Sequence, residues 1–375
     1  MSYAVTTVLA PAVINEAVAE LEVDNESLQK LFGGELGGSN VSKKGGRNFG
    51  WDVYNPTREI ATARAPATGP SPISNQPVGF VSGRYPRVHE SMPLLYEEVH
   101  NQRRIGGPAS EIDSMGLDYI TEQEQIVKQR VVNHREFQFA AMLRGSYTYT
   151  LSGMDLKPNF TGGSITVDYQ MPSGNKGGTI GSSFGANLNP LGTGNIVTAA
   201  WSNTSTDIPS QLYTIDKQMK QLTGKRLRHI ICNASVWVNV QQNTLVRQLS
   251  GTANVVFDEL NKVEDGSEDF NCILKGLPWV RWHINNEVLN LDGTATLMIP
   301  DNTCFFLPKV DRTWVSYWEG SEPVVEWVGR PGHEEFGAYF YATPTANPAG
   351  YSLVSLMNGI PALKNPNAIM YSVVQ

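Results

Sequence analysis

One stretch of this chain, from Ser110 to Tyr147, limits the folds open to it, because it reads as a single uninterrupted helix far longer than a small domain needs. Ser110 is positioned to cap its start, Asp113 follows three residues on as a short capping-box partner, and Gly145 stands where a left-handed C-cap is expected. No proline falls between them, so the expected helix covers 111–144. At 1.5 Å per residue it is ~45 to 50 Å long, against a usual helix of roughly 11 to 12 residues. Ile112, Met115, Tyr119, Ile120, Ile126, Val127, Val131, Phe137, Ala141 and Met142 recur mostly at helical spacing, and Glu122, Gln125, Gln129, Asn133 and Glu136 fill much of the other side. A strut with one apolar face is the expectation. Asp118, Glu122, Glu124, Lys128, Arg130 and Arg135 rule the stretch out as a membrane span, and Gly116, Gln123, Arg130 and His134 interrupt any coiled-coil seam. Taken alone, it suits a long core helix of an enzyme equally well.

Length and charge narrow the choice. The 375 residues allow two or three domains, and 41% hydrophobic content with eight Trp excludes global disorder. A net charge of −7 argues against gripping nucleic acid by phosphate neutralisation. The charge is unevenly spread: residues 1–40 carry −5, 41–110 carry +4, 111–250 carry +2, and 251–375 carry −8. A basic second segment and an acidic final third can complement one another, within a chain or between chains. Lys30 is the first basic residue and Asn15, Glu16 and Glu20 break the early apolar run, so no signal peptide or membrane span is expected.

Residues 1–47 read as a flexible arm, with one convincing helix from Asn25 to Phe32 before a run of glycines. Strands are expected over Asn48–Arg64 and Val78–His89, flanking a proline-rich tip at 65–72. This ribbon holds Arg58, Arg64, Arg84 and Arg87 with few large apolar groups; isolated two-stranded ribbons are marginal, so another copy of the chain is expected to complete it. Strands follow at Ser146–Leu151 and Ser164–Met171, then a Gly/Ser/Asn-rich surface loop or disordered insertion at 172–200. From Asp207 the pattern becomes α/β: a helix to Leu222, a strand at Leu227–Cys232, and a second helix from the Asn233 cap to Leu249. Strands come next at Trp279–Ile284, Thr294–Ile299, Cys304–Leu307 and Thr313–Tyr317. Phe336–Thr343, Ser352–Met357 and Ala368–Val374 are expected to return as strands, the last tying the C-terminus into a sheet.

The chemical motifs are weak. Gly181-Ser182-Ser183-Phe184-Gly185 matches a nucleophile elbow, but it falls inside the low-complexity loop. No P-loop is present, the six histidines are scattered, and Cys232, Cys272 and Cys304 lack metal-ligand spacing and read as buried free thiols. No catalytic, cofactor or metal residue is assigned. Arg103-Arg104 and Lys43-Lys44 lack interleaved aromatics and suit contacts with acidic protein surface. A hydrolase built on 201–340 would need a convergent pair among Glu319, Glu322, Glu326, Glu334 and Glu335, and their spacing defines none.

Ala141-Met142-Leu143-Arg144-Gly145-Ser146-Tyr147-Thr148 is similar to the L-K-G-x-Y-T signature of the lambda-type E family of tailed-bacteriophage major capsid proteins, with arginine in place of lysine. Ile299-Pro300-Asp301-Asn302-Thr303 resembles that family's L-P-D-N-T, and Pro361-Ala362-Leu363 through Pro366 to Val374 resembles its terminal strand. The order of elements matches over nearly the whole chain. The resemblance implies an α+β, tailed-phage/herpesvirus-type major capsid fold. Its parts would be an N-arm (1–47), an extended β-hairpin loop (48–95), a peripheral domain with the spine helix (96–200), an axial α/β domain (201–325), and return strands of the peripheral domain (326–375). It further implies a non-enzymatic subunit that assembles as hexamers and pentamers into an icosahedral shell around double-stranded DNA. Its partners would be its own copies, a scaffold, a portal and a decoration protein, in the host cytoplasm and then in the virion. Arg58, Arg64, Arg84, Arg87, Arg103 and Arg104 are the expected inter-subunit residues. A tail-tube or other virion ring subunit is the alternative among structural proteins.

Overall fold

In a computed structural model, which describes residues 3–4, 8–24, 26–54, 78–95, 97, 111–112, 114–150, 164–178, 180, 188–192, 194–250, 256–257, 270–274, 277–291, 294–324, 332–346 and 349–375, the chain folds as two compact units. The first comprises Met1–Phe49, Ser82–Gln138 and Ser316–Ala362, the second Gly50–Val81, Phe139–Val315 and Leu363–Gln375.

The long helix exists, over Ser114–Arg144, and stops where expected: Gly145 has φ 90° and its N–H donates to the Met142 carbonyl. Its start differs from the expected 111. Glu111–Ile112 pair antiparallel with Tyr3–Ala4 instead, and the expected caps Ser110 and Asp113 lie outside the described residues. In the first unit Ile120, Val127 and Val131 of this helix pack with Leu94, Phe340, Leu353 and Met357. Those partners come from a six-stranded sheet ordered 321–324, 333–346, 349–363, 315–319, 41–43, with Arg87–Leu95 paired along Ala349–Leu363. The strand Ala349–Leu363 has neighbours on both sides and is continuously buried from Leu353 onward, which is why it reads as an apolar run and not as an alternation.

The N-terminal segment departs from the flexible arm expected of it. A second helix, Pro11–Glu20, opens on a proline in its first turn and buries Ile14 and Val18 four residues apart. Asn15 fastens it to the sheet: its Nδ2 donates to the Phe340 carbonyl and its Oδ1 accepts from the Phe340 N–H, at 2.7 and 3.1 Å. Ser27–Phe32 is helical and ends at Gly33 in the left-handed region, while Asn25, its expected cap, lies outside the described residues. Val41–Lys43 then joins the sheet parallel to Tyr317–Glu319.

The second unit is built on a seven-stranded mixed sheet, ordered 256–257, 270–273, 281–284, 227–232, 303–308, 370–373, 176–177. Helix Ile208–Thr223 is capped by Asp207, whose side chain accepts from the Ser210 N–H, and ends at Gly224. The single helix expected after Asn233 is two, Ala234–Gln242 and Thr244–Ser250. Asn243 sits at the break and its side-chain oxygen accepts from the Leu245 and Val246 N–H groups. An asparagine that can cap competes with its own helix interior. Trp201, Trp237, Trp282, Phe306, Ile230 and Met370 form the centre of the core.

Two parts of the expected segmentation are corrected here. Residues 363–375 belong to this α/β unit, with Met370–Val373 paired between Thr303–Pro308 and Lys176–Gly177, and not to the return strands assigned over 326–375. The described part of 172–200 is surface loop only in part: Lys176–Gly177 is a sheet edge, and Leu188, Ile196 and Val197 are buried in the core. Gly181–Gly185 lies outside the described residues. No helix among the described residues is long and apolar enough to cross a membrane.

Candidate functional site

The side of the long helix expected to face solvent instead binds the N-terminal segment. Gln125 Nε2 donates to the Glu22 carbonyl, Lys128 Nζ to the Leu21 carbonyl at 2.6 Å, and Gln129 exchanges hydrogen bonds with the backbone of Asp24 in both directions. One turn further on, Gln29 Nε2 donates to the Val132 carbonyl, and Glu136 accepts from the Leu28 and Gln29 N–H groups, from Gln29 Nε2 and from Ser27 Oγ. Residues 125, 128, 129, 132 and 136 lie along one helical stripe, the first three meeting backbone of residues 21–24 and the last two meeting residues 27–29. The charges sit at the correct helix ends. Lys128 reaches the chain just past the C-terminus of Pro11–Glu20, and Glu136 accepts from the first-turn N–H groups of Ser27–Phe32. The Lys128 hydrogen bond, made by a charged donor, is worth ~1.5–3 kcal/mol.

Burial pushes the Glu136 carboxyl up to about 7, against the pull of those four donors. The fold thus favours the protonated form. Its contribution to stability is full below the ordinary carboxylate range and is lost as pH rises through about 7. His134, pushed down to about 4 by burial, works in the opposite sense: its contribution is full above the ordinary histidine value and is lost on acidification toward 4. Comparison of variants isolates the first effect. Denaturation midpoints of Glu136→Gln measured from pH 5 to 8 should lose the decline with rising pH that wild type carries from this residue. Parallel pH curves for the two proteins would remove the assignment.

In the C-terminal third of the helix lies a buried polar cluster. Arg135 is fully buried, its Nη2 donating to the Glu319 Oε1 and its Nη1 to the Gly34 carbonyl at 3.1 Å, with its guanidinium 4.3 Å from the Tyr317 ring centre. Tyr317 donates its hydroxyl to Gln138, whose Nε2 donates to the Gly359 carbonyl. Gly337 has φ 71°, and a Cβ there would lie 2.2 Å from the Glu319 carboxyl carbon, so the carboxylate packs against bare backbone. Glu322 is held separately by Arg47, Arg87 and Asn358. Glu319 and Glu322 are thus committed to structural partners, Glu334 is exposed, Glu335 faces His333, and Glu326 lies outside the described residues. Among the described residues no three His, Cys, Asp or Glu side chains are grouped to hold a metal.

The ribbon also differs from expectation. Its strands are Asn48–Tyr54 and Val78–Arg84, the second breaking at Tyr85-Pro86 before Arg87–Leu95 enters the large sheet. Phe49, Trp51 and Val53 alternate inward, Trp51 Nε1 donates to the Leu363 carbonyl, and the Tyr54 N–H donates to the Lys364 carbonyl. The base of the ribbon is therefore tied to its own chain, and no second copy is required there. Of the six arginines expected at an interface, Arg58, Arg64, Arg103 and Arg104 lie outside the described residues. Arg84 is half-buried, and Arg87 is half-buried and 3.5 Å from Glu322 of its own chain. The structure brings Arg87 together with Arg47 on Glu322, a grouping that sequence spacing could not reveal.

The two short motifs have structural work. Arg144 Nη2 donates to the Leu297 and Met298 carbonyls, fixing the helix end to the residues just before Ile299-Pro300. Asn302 has φ 61°, its carbonyl accepts from the Val374 N–H, and Asp301 accepts from Asn233, the cap of helix Ala234–Gln242. The turn thereby joins the start of strand Thr303–Pro308, the C-terminal strand and a helix cap.

The family described as phage major capsid protein E matches residues 47–374. Among solved structures the chain is similar to a protein assigned as the capsid protein of a prophage (E. coli CFT073), with 13% identity, 100% of both chains covered and a TM-score of 0.58. It is also similar to a phage-related protein from Bordetella bronchiseptica RB50, with 10% identity, 97% of this chain and 96% of that chain covered and a TM-score of 0.54. At such identities the likeness is one of fold. No curated protein matches the sequence.

Proposed function

Because the chain belongs to the phage major capsid protein E family, a family of shell-forming structural proteins of the virion, we propose that it builds the icosahedral head of a tailed phage as hexamers and pentamers closed around double-stranded DNA. The match over residues 47–374 carries this reading. The net charge of −7 agrees with it, since an acidic shell encloses DNA without adhering to it. In this reading the unit around the long helix is the peripheral domain and the α/β unit the axial domain. The ribbon reaches a neighbouring subunit beyond its anchored base. Arg58, Arg64, Arg84, Arg103 and Arg104 contribute to contacts between copies, with Arg87 steadying the ribbon base through Glu322. The role is structural and not enzymatic. Assembly proceeds in the host cytoplasm with a scaffold and a portal, and a decoration protein joins the finished shell.

Size analysis of the purified protein under assembly conditions tests the reading. Closed particles in the megadalton range are expected; stacked rings would indicate a tube protein, and a small stable species would overturn shell formation. Neutralising Arg58, Arg64, Arg84 and Arg87 together should slow particle formation and flatten its salt dependence, as loss of steering charge does. Identical salt titrations of variant and wild type would remove these residues from the contact.

A further inference from the structure

Two central strands of the seven-stranded sheet carry cations that the assembly reading does not use. On the parallel strands Leu227–Cys232 and Arg281–Ile284, His229 lies opposite Arg281 and Ile231 opposite His283. Alternate residues share a face, so His229, Arg281 and His283 stand together on one side of the sheet. His229 Nδ1 is 2.9 Å from His283 Nε2, so one imidazole donates to the other and they cannot both be fully protonated in this arrangement. Arg228, next along the strand, donates to the Trp279 carbonyl. The Nε of Arg281 is buried with no hydrogen-bond partner. All four side chains are half-buried.

Among the described residues the neighbours do not balance this charge. On the flanking strands Asn271 lies beside His283, Ile273 beside Arg281 and Leu307 beside His229. Among the described residues no carboxylate pairs with Arg228 or Arg281. Burial, then the Arg228 and Arg281 cations, hold His229 down to about 4; burial, then His229 and Arg281, hold His283 down to about 3. Half-buried Arg87, by contrast, lies beside the Glu322 carboxylate. Here a buried guanidinium donor is left open with no carboxylate paired to its arginine among the described residues.

We infer that this cluster is a carboxylate-binding contact, filled in the assembled shell by an acidic side chain from a second copy of this chain. A guanidinium fork accepts a carboxylate or a phosphate oxygen pair. The carboxylate is favoured because the chain carries 36 acidic against 29 basic residues, with 15 of the acids in residues 251–375, so each added copy brings carboxylates while the overall charge repels nucleic acid. The anion would satisfy the Arg281 Nε and let the imidazole pair take up a proton. The inference rests on the assembly reading.

Deuterium exchange at the histidine C2 position, followed by mass spectrometry on the full chain as free subunits and as closed shells, reads the cluster directly. The expected result is a titration midpoint for His229 and His283 that rises by about one unit or more on assembly, the shift an added opposite charge brings. The rise should be absent in Arg281→Gln and partly kept in Arg281→Lys. Arg281→Gln should also weaken association by about tenfold or more, as loss of one member of a desolvated charge pair does. Equal midpoints in free and assembled wild type would overturn the contact. So would an equal rise in free subunits on adding a short DNA duplex, which would assign the ligand as phosphate. If Arg281→Gln does not fold, the wild-type comparison and Arg281→Lys decide. If wild type forms no shells under any condition, the assembly reading itself fails and this contact falls with it.

Discussion

Replacing Arg135 with leucine is expected to lower the unfolding free energy by ~3–5 kcal/mol, the usual cost of removing one member of a buried ion pair and leaving the other charge uncompensated. The magnitude follows from position. Arg135 is fully buried and Glu319 is 5% exposed, so neither charge can recover solvation once the other is removed. Removing the guanidinium also strands the Gly34 carbonyl and the Tyr317 ring that it packs against. Urea denaturation gives the number, from the midpoint shift at unchanged slope. Glu319→Gln should cost less, because the amide oxygen still accepts from Arg135. Exchanging both residues for apolar groups of similar volume should recover much of the loss, since well-packed apolar substitutes for buried pairs are often neutral. A loss for Arg135→Leu below about 1 kcal/mol, the range of surface pairs, would mean that the cluster is hydrated in solution and not the sealed pair described. Gly337→Ala attacks the same cluster from the backbone, where φ is 71° and the new Cβ would sit against the Glu319 carboxylate.

Trp201→Ala should cost a similar ~3–5 kcal/mol, by a different route: a large cavity in a packed core. Trp201 is fully buried, with its ring edge-on to Trp282 and to Phe306 at centroid distances of 6.5 and 6.4 Å. Its Nε1 donates to Gln211 Oε1 at 2.8 Å, and its backbone N–H donates to the Val374 carbonyl at 2.7 Å. Loss of the ring empties a core shared with Met370 and Val374, and should therefore loosen the C-terminal strand as well as the helix that carries Gln211. Amide exchange should rise first in Met370–Val373 and in Ile208–Thr223. Trp201→Phe keeps most of the volume but orphans Gln211, and should fall between wild type and the alanine variant. Exchange that rises evenly along the chain would argue against a local role for this side chain.

The elements most legible in the sequence are those defined by local chemistry. The strand Leu227–Cys232 and the helix from the Asp207 cap to Gly224 follow from neighbouring residues alone, because a capping side chain, an apolar period and a terminal glycine act within a few residues of one another. The C-terminal end of the long helix at Gly145 is of the same kind. The departures have long-range causes. Glu136 and Gln129 look like solvated side chains by periodicity, yet their partners are backbone groups more than one hundred residues earlier in the chain. The helix Pro11–Glu20 lacks a capping side chain at Ala10 and is held by Asn15 against Phe340, a contact no local pattern encodes. Leu188, Ile196 and Val197 are hidden by glycine-rich surroundings that suggest a loop.

By itself the sequence determined the element types, the long helix, the acidic balance and the short turn motifs, since each depends on neighbours along the chain or on summed charge. Only the tertiary structure decided which polar side chains are buried and whom they serve: that Glu319 neutralises Arg135, that the ribbon base belongs to its own chain, and that Arg281 meets no counter-ion among the described residues. Burial and pairing arise when distant segments exclude water together. That depends on where the chain returns in space, which spacing along the sequence does not record.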